Sequence, residues 1–65
     1  MKGSIDKLTN RGYGFISVED EEEDVFFHAS ELVDADFENL EEGTEVEFRM
    51  QEGEKGPSAV NVELV

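Results

Sequence analysis

The 65-residue chain carries 18 acidic side chains against five basic ones, a net charge of −13, with 37% hydrophobic residues and no cysteine. A chain this short makes one domain with a thin core. The lack of cysteine excludes disulfides and thiolate metal sites, and no apolar run approaches the roughly 20 residues that cross a bilayer. The N-terminus lacks the charged, apolar and small-residue pattern of a secretory signal. Residues 1–65 therefore read as a single soluble domain, expected in the cytoplasm and by default a monomer.

Alternation with a period of two, the mark of half-buried strands, runs through the chain. The first strand is expected over Lys2 to Leu8, with Ile5 inward, and Thr9 to Gly12 reads as a turn. The second runs from Tyr13 to Val18: Gly14, Ile16 and Val18 share one face, and Tyr13, Phe15 and Ser17 share the other. Glu19 to Glu23 is an acidic connection. The third strand, Asp24 to His28, sets Val25 and Phe27 against Phe26 and His28. Ala29 to Gly43 is irregular, with one helical turn near Ser30 to Leu32 and Ser30 as its cap. The fourth strand, Glu45 to Met50, turns Val46, Phe48 and Met50 inward. Gly53 to Pro57 is a turn, and the fifth strand, Ser58 to Leu64, turns Val60, Val62 and Leu64 inward.

Five short strands and no long helix predict an all-β fold, a five-stranded antiparallel Greek-key barrel of the OB type. Closure removes the edges that an open five-stranded sheet would expose.

If Ile16, Val18, Val25 and Phe27 fill so small a core, then Tyr13, Phe15, Phe26 and His28 must face solvent. A cluster of exposed rings on a small domain marks a binding surface. Every nucleobase has a π-face, so such a platform suits single-stranded RNA or DNA. Gly12 and Gly14 flank Tyr13 and leave room for flat-lying bases, while Arg11 and Lys55 sit in turns where phosphates would pass.

Arg11-Gly12-Tyr13-Gly14-Phe15-Ile16 resembles the first ribonucleoprotein motif of the cold-shock domain family, and Asp24-Val25-Phe26-Phe27-His28 resembles the second. The likeness continues through Ser30, Phe37, Leu40 to Gly43, Val46 and Phe48, and ends with Lys55 to Ala59 and Asn61-Val62. The resemblance implies a barrel that binds single strands with little sequence preference, in some members as an RNA chaperone. It implies a stacking platform of Tyr13, Phe15, Phe26 and His28, a further ring at Phe37, and basic positions at Arg11 and Lys55.

The chain also departs from the family's pattern. Lys7 stands where a tryptophan is usual, Asp6 replaces a lysine, Ala29 replaces an aromatic residue, and Glu38 stands at a commonly basic position. One stacking surface is thus absent and the electrostatic attraction is weaker, although Lys7 itself remains a candidate phosphate contact.

An acidic chain is a poor polyanion binder on charge alone, and high net charge with few aromatics favours disorder. The alternating apolar segments oppose disorder. Adaptation to high salt reconciles the charge with a folded domain, because the Debye length falls to about 3 Å at 1 M. Two other readings stand beside nucleic-acid binding: an acidic module or nucleic-acid mimic that binds a basic protein, and a translation-factor-like barrel. Glu19 to Asp24 lacks the spacing and glycine of an EF-hand loop, and one histidine without cysteine makes no zinc site. No nucleophile has an activating partner and no paired acid and base stand out. The expectation is no enzyme, no cofactor, no metal and no small-molecule substrate.

Overall fold

The computed structural model describes residues 1–19, 21–33, 35–53 and 56–65. It forms five strands: β1 (Lys2–Leu8), β2 (Tyr13–Ser17), β3 (Val25–His28), β4 (Glu45–Gly53) and β5 (Gly56–Leu64). They close into a barrel in the order β1-β2-β3-β5-β4, with β4 returning to β1. The fold expected from the alternation is present. One pairing departs from the antiparallel expectation: β3 and β5 run parallel, with Phe26 and Phe27 beside Ser58 and Ala59. The chain leaves β3 by a long crossover, and the β4–β5 hairpin then brings β5 back in the direction of β3.

The core follows the predicted phase through the first four strands. Ile5, Ile16, Val25, Phe27, Val46, Phe48 and Val62 are each no more than 2% exposed. Ile5 lies opposite Ile16, and Ile16 opposite Val25, so one inward row crosses three strands. Gly14 belongs to the same inner face by necessity. A Cβ there would lie 2.6 Å from the Lys7 carbonyl oxygen and 2.9 Å from the Phe27 ring, so any side chain would push β2 away from β1.

Strand β5 breaks the expected phase. Ala59 and Val62 are buried, Val60 is half-buried and Leu64 is 50% exposed. Glu47 pairs with Glu63 and Arg49 with Val60, which leaves Asn61 and Val62 facing Phe48 alone. This is a bulge, and Asn61 adopts φ 51 within it, a left-handed conformation that asparagine tolerates better than branched residues. The extra residue shifts the alternation, so Ala59 takes the inward place expected of Val60; Leu64 keeps the phase of Val62, opposite Val46, but stays exposed at the end of the strand. Met50 is also only half-buried, on a strand that runs on to Gly53, beyond the stretch of β4 that pairs with β1.

Two 3-10 turns, Ala29–Glu31 and Phe37–Asn39, occupy the crossover. The first lies where a helical turn is expected, but Ser30 is not its cap. The His28 side chain fills that role and accepts the Ser30 backbone N–H at 3.1 Å. The second turn has no periodic signal in the sequence. It leads into Leu40, which is 8% exposed and joins the core cluster. Leu32 bridges to Val62, and the Val33 N–H donates to the Val62 carbonyl, pinning the crossover to β5. Among the described residues, no helix is long and apolar enough to cross a membrane.

Candidate nucleic-acid interface

The outer face of β2 and β3 gathers the rings. Tyr13 lies opposite His28 and Phe15 opposite Phe26 in an antiparallel register that alternates faces. With Phe27 and Ile16 turned into the core, all four must project outward. Tyr13, Phe15 and Phe26 form a triangle, with centroid separations of 6.0 Å for Tyr13–Phe15, 5.5 Å for Tyr13–Phe26 and 6.1 Å for Phe15–Phe26. Edge-to-face and tilted packing at such distances holds aromatic rings in place. Phe26 is 38% exposed, an unusual value for phenylalanine, and Tyr13 and Phe15 are half-buried. The set is a ring surface supported from the side.

A bulge in β1 brings a cation to this surface. Ile5 faces Ile16 while Lys7 faces Phe15, so Asp6 is the additional residue. A row then runs Lys7, Phe15, Phe26, Ser58 across β1, β2, β3 and β5. Arg11 is exposed in the β1–β2 turn. That turn is tied down by Thr9, whose N–H and hydroxyl both donate to the Tyr13 carbonyl, at 3.0 and 2.8 Å. Lys55, the remaining basic candidate, lies outside the described residues.

Phe37 stands apart from the triangle. Its ring centroid is 6.1 Å from that of core Phe27, and it packs half-buried against the barrel. It also helps to line an open hollow with Leu8, Gly12, Ala29 and Leu40. Gly12 and Ala29 are the chain neighbours of Tyr13 and His28, so the hollow adjoins the ring surface. Phe37 thus braces the core and borders that surface. Among the described residues, no group of three or more His, Asp or Glu side chains gathers as a metal site.

Sequence reasoning missed two features. One is the contact of His28 with Ser30, where Nδ1 lies 3.0 Å from Oγ as well as accepting the backbone N–H. The other is the meeting of Asp24 with Asp6. A hydrogen bond that the protonated Asp24 carboxyl donates to the Asp6 carboxylate, slight desolvation and the repulsion of the two charges push the Asp24 carboxyl above the usual aspartate range. Asp24 shares the outward phase of Phe26 and His28, which was a usable signal. Its partner depended on the β1 bulge, which was not. The raised value means that the folded state binds more protons than the unfolded chain between about pH 3.9 and that value. Stability therefore falls as pH rises through this window. Asp24→Asn is expected to remove that fall and to melt at or slightly above wild type at neutral pH, the effect being small because both groups are exposed. Melting curves across pH check this; a lower midpoint for the variant at neutral pH would refute it.

The comparisons with known proteins agree with this geometry. The family model for the 'Cold-shock' DNA-binding domain matches residues 1–65. The cold shock-like protein CspC of Escherichia coli K12 is 46% identical over 66 aligned positions, covering 100% of this chain and 96% of its own. The cold shock-like protein CspB of Yersinia pestis is 52% identical over 52 residues, covering 80% of this chain and 74% of its own. Among solved structures, Drosophila Unr CSD456 superposes with a TM-score of 0.83 at 26% identity, covering 98% of this chain; the chain spans only 26% of that larger protein. The chain belongs to the cold-shock domain family, a family of nucleic-acid-binding proteins.

Proposed function

We propose that this domain binds single-stranded RNA or DNA with little sequence preference, and that it acts as an RNA chaperone. Tyr13, Phe15, Phe26 and His28 stack bases, and Phe37 extends the strip across the adjoining hollow. Lys7, Arg11 and Lys55 meet phosphates. The observation that carries this reading is the outward-facing triangle of Tyr13, Phe15 and Phe26 on paired strands. Stacking contributes about 1–3 kcal/mol per base without reading sequence. A domain that holds unpaired bases shifts a hairpin toward its open form by mass action, with no nucleotide hydrolysis.

Fluorescence titration with an oligothymidine and with a duplex of equal length tests this. Tight binding of the single strand that persists in molar KCl is expected, because few cations contribute and stacking is insensitive to salt. Binding of the duplex alone, or capture only of a basic protein in low salt, would refute it; the second result would favour the acidic-module reading.

We infer further that the acidity is an adaptation to salt. Glu47 and Glu63 face each other directly across β4 and β5, and like charges in that position destabilise a sheet. With the net charge of −13, this repulsion is relieved only by screening. The melting midpoint is expected to rise from low to molar KCl. A midpoint indifferent to salt would contradict the adaptation.

A further inference from the structure

We infer that Asp6 and Asp24 close one end of the ring surface to a phosphodiester chain, so that the domain holds a short stretch of single strand and turns the rest away. This rests on the stacking reading above and sets the length of its ligand. The register places the pair. Phe15 lies opposite Phe26 and Ile16 opposite Val25, so Ser17 and Asp24 occupy the next outward positions beyond the two phenylalanines. On its other side Ser17 pairs with Ser4, and the bulge of β1 sets Asp6 between Ile5 and Lys7. Asp6 and Asp24 meet there within hydrogen-bonding reach, and both are exposed. Asp24 is two residues from Phe26, about 7 Å along an extended chain. Two adjoining carboxylates therefore stand one step past the last rings.

Charge is thus distributed unequally along the strands. Arg11 is exposed in the turn before Tyr13, and Lys7 lies opposite Phe15. Past Phe15 and Phe26 the sign reverses. Ser17 is uncharged, and beyond the aspartates come Glu21, Glu22 and Glu23, which line a hollow with Val25 and Glu52. A phosphate about 4–7 Å from one carboxylate in water is repelled enough to weaken binding about two- to fivefold in low salt. No ring offsets that loss: Phe27 and Phe48 are in the core, and Phe37 borders the opposite end, by Gly12 and Ala29.

Titrations at low salt with thymidine oligomers of about three to ten nucleotides test this. Wild-type affinity should level off at about four or five nucleotides, one per stacking ring. The double variant Asp6→Asn/Asp24→Asn should match wild type within about twofold on the trimer and bind the decamer about four- to 25-fold more tightly, two carboxylates' worth of repulsion. Molar KCl should erase that gain. A wild-type affinity that climbs with length as steeply as the variant's would overturn the inference. So would an equal gain from Glu63→Gln, five residues beyond Ser58 on β5, which would reduce the effect to net charge. As pH falls and Asp24 takes up its proton, the gap between wild type and Asp24→Asn on the decamer should close. Thymine does not titrate in that range, and Asp6, Lys7, His28 and the glutamates are common to both proteins. A gap that stays constant to the edge of acid unfolding would assign the gain to side-chain shape and overturn the inference. Each of these results leaves stacking intact; should Phe15→Ala bind every oligomer as wild type does, the stacking reading itself falls and takes this inference with it.

Discussion

Phe27→Ala unfolds this domain at ordinary temperatures. Phe27 is fully buried and among the largest side chains in the core. Truncating a buried phenylalanine costs about 3–5 kcal/mol in lost transfer and cavity energy. A domain of this length has only about 3–10 kcal/mol in total, at the usual stability per residue. The ring also supports Phe37 and approaches the space that Gly14 leaves empty, so little can relax into the void. Circular dichroism melting would show a midpoint lowered by tens of degrees or no transition at all. A variant that melts within a few degrees of wild type would mean that the core lies elsewhere.

The neighbouring residue gives the opposite result. Phe26→Ala should fold, because its ring is exposed and its packing is limited to Tyr13, Phe15 and their surroundings. Its affinity for an oligothymidine should fall by about five- to 150-fold, the equivalent of one lost stack. Phe15→Ala should behave similarly. Lys55→Ala should lose less, and its loss should vanish in molar salt. A lysine variant as impaired as the phenylalanine variants would sink the stacking account in favour of an electrostatic one. Adjacent positions on one strand thus separate stability from binding.

That separation was legible in the residues themselves. Val25-Phe26-Phe27-His28 alternates strictly, and once Phe27 is assigned to the core, Phe26 and His28 must be outside. The same logic placed Tyr13 and Phe15. It failed where backbone geometry breaks the period. At β5, Asn61 inserts a bulge, and the apolar pattern Val60-Asn61-Val62-Glu63-Leu64 is equally regular with or without it. Nothing in side-chain type reveals which phase is right. The bulge at Asp6, the parallel contact of β3 with β5 and the burial of Leu40 depend on long-range closure in the same way. His28 shows a different limit: its outward direction could be read, but its grip on Ser30 depends on a side-chain rotamer that the sequence does not encode locally.

The missing side chain at Gly14 has a consequence for the energetics of recognition. With no Cβ there, β2 lies close against β1 and the Phe27 ring, and the two residues flanking the glycine, Tyr13 and Phe15, are ring carriers. They are anchored where β2 lies tight against β1 and the core, and they arrive preorganised. A ligand settling on them restricts little motion in the protein, so the entropy lost on association falls almost wholly on the ligand's own chain.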